Sequence, residues 1–290
     1  MPYCSIRGVD HYYEWIGESG SDPSGSKPVL VFLHGWAGSA RYWESTARRL
    51  VSQYDCLLYD LRGFGRSHLP RPIPEDVAAL GYELETYADD LALLLDSLGV
   101  EQVTLNAHST GASIAVFFLN QYAERVDRAI LTCSGIFEYN KRAFEAFYRF
   151  GKYVVDVRPG WLRYIPFVDQ MFMARFLRRP IPASDRRAFL ADYLDADYEA
   201  ALGTIYTAVS KKAVEVMPQE FARLTVPTLL ISGEYDQIIP AHMGQQAANL
   251  SDRVTHRIIA NTGHFPMLED AETYMDTIRA FLNQTLEPVA

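Results

Sequence analysis

The chain has only three cysteines, Cys4, Cys56 and Cys133, in 290 residues. They are too few and too scattered for a disulfide framework, and Cys56 and Cys133 lie inside apolar, strand-like runs. They read as small core residues in a reducing compartment. Long hydrophobic runs are also missing: no apolar stretch approaches the roughly 20 residues needed to cross a bilayer. The N-terminal Met1-Pro2-Tyr3-Cys4-Ser5-Ile6-Arg7 lacks the basic-then-apolar pattern of a secretory signal, so a cytoplasmic protein without a transmembrane segment is expected. Positive charge is in deficit, with 27 Lys and Arg against 36 Asp and Glu for a net charge of −9. Nucleic acid is thereby excluded as the main partner, because phosphate binding needs a concentrated positive field. There is no internal repeat and no low-complexity tract.

What is present is a large apolar fraction, 49% hydrophobic against 22% charged residues, which supports a sizeable buried core. Residues 4–9 and 11–19 alternate around Gly8 as a hairpin would, followed by a Ser/Gly/Asp/Pro turn from Ser19 to Pro28. Four apolar runs then read as strands buried on both faces: Val29 to Leu33, Cys56 to Tyr59, Gln102 to Ala107 and Ala129 to Cys133. Between them, Ser39 is placed to cap a helix through Leu50. Tyr87, Ala88, Leu91, Leu94, Leu95 and Leu98 form one stripe of a helix over 86–98, with Thr86 and Asp89 at capping-box spacing and Gly99 as its stop. Strand and helix alternation predicts a parallel sheet with helices on both faces.

The alternation breaks from about Phe137 to Pro218. That segment carries no strand signal, is rich in aromatics and proline, and places Phe144, Phe147, Tyr148 and Val155 on one helical face. An inserted helical cap is expected. Strands resume at Thr228 to Ser232 and Val254 to Ile259, and a helix over 270–283 closes the chain. The division is therefore core over 1–136, cap over 137–218 and core again over 219–290.

In an open parallel sheet, ligands gather at the carboxyl ends of strands. The residues just past those ends are Trp36, Asp60, Ser109, Ser134, Asp236 and His264, which include a nucleophile, an acid and a base. Ser109 stands in Ala107-His108-Ser109-Thr110-Gly111. Tiny residues two before and two after it are what a sharp strand-to-helix turn requires, although a serine N-cap after a buried strand fits the short pattern equally well. A serine hydroxyl needs an imidazole to take its proton, and the imidazole needs a carboxylate to fix its tautomer. Of seven histidines, His264 follows the last strand on a glycine loop and reaches over the sheet edge, while His34 props the Gly35 turn and His108 diverges from Ser109 around the elbow. His11, His68, His242 and His256 occupy ordinary positions. Asp236 follows the penultimate strand and is the best orienting acid. The Asp60 to Ser67 turn reads as a salt-bridged brace.

Together, His34-Gly35-Trp36, the Asp60-Leu61-Arg62-Gly63-Phe64-Gly65-Arg66-Ser67 turn, the elbow at Ser109, Gly233 to Asp236 and Gly263-His264, in the order Ser, Asp, His, resemble the α/β-hydrolase superfamily. The likeness is to its cap-bearing serine esterase and haloperoxidase-like branch. It implies the α/β-hydrolase fold, with a mostly parallel central sheet flanked by helices and a helical cap inserted after the strand ending near Cys133. It also implies a Ser109, Asp236 and His264 triad, with the backbone N–H groups of Trp36 and Thr110 as oxyanion hole. Ala107 replaces the family's common first glycine and is small enough to fit. Trp36, His108 and Phe265 are expected against the substrate.

The expected chemistry is cleavage of a carboxylic ester, or a related acyl bond, of a small hydrophobic substrate through an acyl-enzyme, with no cofactor and no metal. Serine at the elbow argues against the epoxide hydrolases and dehalogenases of this fold, which use aspartate there. Perhydrolysis, carbon–carbon bond hydrolysis and acyl transfer share the scaffold, and a small-molecule receptor is the rival of another class. Residues 141–179 hold nine Lys or Arg against three acids. That bias suits an anionic membrane surface, an acidic carrier or an anionic substrate. The favoured reading is solvated helix faces paired with the acidic Asp192 to Glu199 stretch. The aromatics of the same segment, from Phe144 to Phe176, are expected to pack the cap onto the sheet.

Overall fold

The computed structural model describes residues 3–17, 27–137, 151–208 and 210–284. Eight strands form one sheet: β1 (Tyr3–Ile6), β2 (Val9–Ile16), β3 (Val29–Leu33), β4 (Asp55–Tyr59), β5 (Val103–His108), β6 (Val126–Thr132), β7 (Thr228–Gly233) and β8 (Val254–Ile259). Their spatial order is β1-β2-β4-β3-β5-β6-β7-β8. The hairpin β1–β2 is antiparallel and joins β4 antiparallel, and every later pairing is parallel. The expected fold class holds. Strands β3, β4, β5 and β7 are almost wholly buried along their length, as continuous apolar runs demand when helices cover both faces.

Helices α1 (Leu84–Ser97) and α2 (Thr110–Gln121) cover one face, where Leu91, Leu94 and Leu95 meet Ile114, Val116 and Phe118 over Val31, Leu105 and Leu131. The other face, with Leu30, Phe32, Ile130 and Ile231, packs against Trp43, Tyr274, Ile278 and Phe281, the last three from α8 (Ala271–Leu282). Of two expected caps, one holds on a different element and one is displaced. Ser39 caps a 3-10 turn, Ala40–Trp43, before the short helix Glu44–Arg48, rather than one helix through Leu50. Thr86 is inside α1, which starts two residues earlier because Leu84 and Tyr87 both bury against the core and carry the helix upstream. Gly99 does end it, at φ 67°.

Between β6 and β7 the described residues are helical or irregular, without a strand. They include a 3-10 turn, Gly160–Tyr164, then α3 (Val168–Met173), α4 (Ala183–Asp195), α5 (Tyr198–Ala208) and α6 (Lys211–Ala222). Phe144, Phe147 and Tyr148 lie outside the described residues, as do Lys141, Arg142, Glu145 and Arg149; Val155 is buried, as its place on that face required. Pro218 lies inside α6, which runs on to Ala222. The aromatics divide in a way the composition did not indicate. Phe172 and Phe176 turn inward, whereas Trp161, Tyr164 and Phe167 are 59%, 81% and 67% exposed, so these three do not pack the segment onto the sheet. Phe167 initiates α3 from a left-handed backbone, φ 67°, which directs it outward.

The acidic stretch pairs chiefly with the core. Asp192 accepts from Ser39 Oγ at 2.6 Å and pairs with Arg41, Asp197 accepts from Leu69 N at 2.6 Å and Arg71 at 3.2 Å, and Glu199 pairs with Arg71 at 2.8 Å. Among the described basic residues of the insertion, Arg163, at 2.5 Å from Asp195, supplies the expected partner. These carboxylates therefore fasten inserted helices to the strand-end loops. Burial pushes the Asp192 carboxyl up to about 6, and the opposing pull of Arg41 and Ser39 does not fully offset it. A carboxyl raised in the folded state binds more protons folded than unfolded between pH 4 and pH 6, so its contribution falls as pH rises through that window. Relative to Asp192→Asn, the native protein should be more stable at pH 4.5 than at pH 7.5 by about 1–3 kcal/mol, measured by denaturant melts of both proteins. A difference that does not change between those pH values contradicts this.

Candidate functional site

Strand β5 ends at His108, and the chain enters α2 through Ser109 with φ 54° and ψ −121°. A non-glycine residue in that region is strained, and the surroundings hold it there: Ser109 N–H donates to Thr132 O on β6 at 2.9 Å. The N-cap alternative fails on one point. The Ser109 side chain makes no cap hydrogen bond to the helix it starts. The turn also brings α2 hard against β3, so that a Cβ at Gly111 would lie 2.3 Å from His34 O. Glycine is required there by contact alone.

Ser109 Oγ instead lies 3.0 Å from His264 Nε2, and His264 Nδ1 lies 2.7 Å from Asp236 Oδ2. The three residues come from loops after β5, β7 and β8, so the sheet assembles them across 155 positions of sequence. All are buried, Ser109 least so at 9% exposure. Burial pushes the Asp236 carboxyl up, but the His264 imidazole and the N–H groups of Ile239 and Ile238, at 3.1 and 2.8 Å from Oδ1, more than offset it. The group is held below the usual carboxylate range. An acceptor kept ionised can fix the Nδ1–H tautomer, leaving Nε2 as acceptor for the serine proton. Thr110 N–H is the first of α2, with no carbonyl of its own helix to bond, and stands at the positive end of the helix dipole beside the serine in sequence. Gly35, just before Trp36, lies against Ser109, with a Cβ there 3.1 Å from Ser109 Cβ.

The residues expected against substrate behave differently from one another. Trp36 is half-buried, its indole N–H donating to Ala201 O at 2.9 Å and its ring facing Tyr193. His108 is 1% exposed, and both its ring nitrogens are used internally. Nε2 lies 2.8 Å from His264 O, a carbonyl that can only accept, so Nε2 carries the hydrogen. Nδ1 must then accept from Tyr42 O–H at 2.9 Å, and Tyr42 Oη accepts Gly35 N–H at 2.6 Å. Burial, and next the adjacent His264, keep this imidazole well below its ordinary range and neutral. His108 thus has no polar atom left for a ligand and braces the loops instead. Phe265 is likewise 6% exposed, packed among Tyr42, His108, Phe176 and Phe189.

Other strand-end groups are structural. His34 Nδ1 lies 2.8 Å from Gly35 O and its Nε2 accepts from Leu61 N at 2.9 Å. Asp60 is bonded by Arg66 Nε at 2.6 Å, the brace expected, while Arg62 turns away to Asp90 at 2.8 Å. A second serine–histidine contact, Ser232 Oγ to His256 Nε2 at 2.9 Å with Gln245 behind it, is shut beneath α7 (Ala241–Ala248), where a Cβ at Gly244 would lie 2.6 Å from that hydroxyl. Possible ligand atoms of His108, Cys133 and His264 lie within 4.8 Å of one another. The imidazole nitrogens are all committed to the hydrogen bonds above, and burial pushes the Cys133 thiol well up, so this donor set does not fit a metal. A surface cleft of about 260 Å³ between Arg41, Glu44, Ser45, Arg48 and Asp185 contains none of Ser109, Asp236 and His264.

Sequence reasoning missed Tyr42 and Glu269. Glu269, five residues after His264, is 5% exposed and accepts from backbone N–H groups on two separate segments.

Comparison with known proteins places this geometry in context. The chain is 26% identical over 278 residues to a putative non-heme chloroperoxidase of Synechocystis, covering 88% of each. Among solved structures it resembles a thermophilic esterase from Thermogutta terrifontis, with TM-score 0.73, 23% identity and coverage of 97% and 96% of the two chains. It also resembles the enol-lactonase of Burkholderia xenovorans, with TM-score 0.76, 19% identity and coverage of 98% and 100%. A family model described as the alpha/beta hydrolase fold matches residues 28–271, from the strand before the Trp36 loop to the first residue of α8, and the chain therefore belongs to that family.

Proposed function

We propose that this protein is a serine hydrolase that cleaves a carboxylic ester, or a related acyl bond, of a small hydrophobic substrate. The observation that carries the reading is the unbroken line from Ser109 Oγ through His264 to Asp236, at 3.0 and 2.7 Å. In this reading Ser109 Oγ attacks the carbonyl carbon as His264 Nε2 takes its proton, and Asp236 stabilises the imidazolium that results. The tetrahedral oxyanion accepts hydrogen bonds from Trp36 N–H and Thr110 N–H. Its collapse breaks the bond to the alcohol, which leaves with the proton from His264. Water, deprotonated by the same imidazole, then attacks the acyl-enzyme and releases the acid with Ser109 restored.

The inserted helices act as the substrate filter. Trp36, Tyr193, Phe172 and Phe176 form a chain of aromatic contacts whose last ring lies 6.1 Å from that of His264, which favours an apolar acyl group over a charged one. Perhydrolysis is the second reading, favoured by the name of the Synechocystis relative, and a comparison of peracid formation with ester hydrolysis separates the two.

Four outcomes are expected. Native protein takes a fluorophosphonate label and hydrolyses p-nitrophenyl esters, while Ser109→Ala does neither; native protein that does neither, or a Ser109→Ala protein that keeps the native biological effect, points to a receptor instead. Asp236→Asn lowers kcat by about 10⁴-fold with KM nearly unchanged. Because Asp236 is held below the usual carboxylate range, the acid side of the native kcat/KM profile should show a single proton, that of the base, down to about pH 4.5. A second acid limb in that range argues against the assignment. Finally, kcat/KM across straight-chain acyl esters should rise by about tenfold from acetyl to a medium-length chain and flatten in Phe172→Ala. A profile already flat in the native protein removes the filter.

A further inference from the structure

The His264 loop is not held by the sheet alone. Its backbone is fixed from both sides: His264 N–H donates to Phe176 O at 2.7 Å, and His264 O accepts from His108 Nε2 at 2.8 Å. Beneath it lies the Glu269 carboxylate, buried on the one-turn helix Pro266–Glu269. Oε1 accepts from Gly263 N at 2.9 Å and Phe265 N at 3.1 Å, the residues on either side of the base. Oε2 accepts from Arg178 N at 2.7 Å and Arg179 N at 2.8 Å, both in the segment joining α3 to α4, and shares Gly263 N at 3.0 Å. The two segments touch so closely that a Cβ at Gly263 would lie 2.5 Å from Phe176 O and 2.9 Å from Arg178 N.

A carboxylate this deep is tolerated only while its lone pairs are satisfied. Withdrawal of residues 176–179 would strip Oε2 of two donors and His264 N–H of its acceptor at once. The carboxylate would have to turn toward water, and Gly263 and Phe265 would lose their anchor. We propose that Glu269 is a positioning residue that couples the seating of the Phe176–Arg179 segment to the alignment of His264, so that the base is competent only when that part of the insertion is closed on the core. This role rests on the acyl-transfer reading above. It adds to it the means by which the insertion controls the chemistry.

The coupling is tested by Glu269→Gln. A glutamine keeps one acceptor oxygen, but its amide nitrogen faces N–H donors on one side or the other, so one half of the junction is lost whichever way it turns. In folded protein, confirmed by circular dichroism, the expected result is a fluorophosphonate labelling rate and an ester kcat lower by about 10- to 100-fold, as a misplaced base gives. KM should stay within about twofold, and the downfield proton resonance of His264 Nδ1–H should weaken. Arg179→Ala approaches the junction from the insertion, removing the 2.7 Å pair with Asp270 while leaving Glu269 intact. It should slow labelling several-fold and increase cleavage by protease between residues 176 and 180. Labelling within about threefold of native for folded Glu269→Gln, or a rise in KM at native kcat, overturns the proposal. Where Glu269→Gln does not fold, native labelling by Arg179→Ala overturns it. Native protein that takes no label overturns the acyl-transfer reading and this role with it, a result distinct from a labelled native protein whose variants label equally fast.

Discussion

The arrangement depends on the constraint that one imidazole must meet a hydroxyl on one side and a carboxylate on the other, within hydrogen-bond distance of both. His264 does so at 3.0 and 2.7 Å. Its partners sit on loops after β5 and β7, with β6 between those strands. Parallel strands in a fixed register are what make this possible, because Ala107 pairs beside Leu131, Leu131 beside Leu230, and Leu230 beside His256. A slip of one residue would turn every side chain of the shifted strand to the other face and move its loop by about 3.3 Å. The apolar runs that lock the register by being buried on both faces are therefore as much a part of the site as the polar groups.

Around that imidazole the protein builds a second set of polar contacts that touch no substrate. Gly35 N–H, Tyr42, His108 and the His264 carbonyl form one directed chain, in which each donor and acceptor role follows from the carbonyl at its end. It links the loop carrying Trp36 to the loop carrying the base. The neutral state of His108 suits this duty, since a protonated ring could not accept from Tyr42. Both loops are thus referred to the same elbow residue, next to the nucleophile.

The insertion is joined to the core by charge as well as by apolar packing, with Val155, Leu190, Ala200 and Met217 inside the same buried cluster as Val31, Leu105 and Leu131. Asp192, Asp197 and Glu199 reach Ser39, Arg41, Leu69 and Arg71, while Trp36 donates to Ala201 O. Several of these contacts fall on the strand-end loops that carry the candidate site. The outward aromatics, Trp161, Tyr164 and Phe167, are exposed, and among the described basic residues of the segment Lys152, Arg163 and Arg179 pair with Asp156, Asp195 and Asp270.

By itself the sequence determined the strands, the mostly parallel sheet and the candidate residues past each strand end. Each of these is written in local terms: apolar runs that end in glycine, small residues flanking Ser109, an acid and a histidine after the last two parallel strands. Boundaries slipped where burial overrode local capping, as at Thr86, and Ser39 caps a tighter turn, its hydroxyl donating to Asp192 while it accepts from Arg41. What only the tertiary structure decided is which way each side chain spends its hydrogen bonds. His108 and Trp36 looked alike as neighbours of a substrate, but long-range partners make one a buried brace and leave the other at the seam. Glu269 gave no composition signal at all, because its role consists of backbone N–H groups from residues 178, 179, 263 and 265, which no local pattern brings together. Backbone donors are identical at every non-proline position, so their meeting point is set by the path of the folded chain rather than by the identity of its residues.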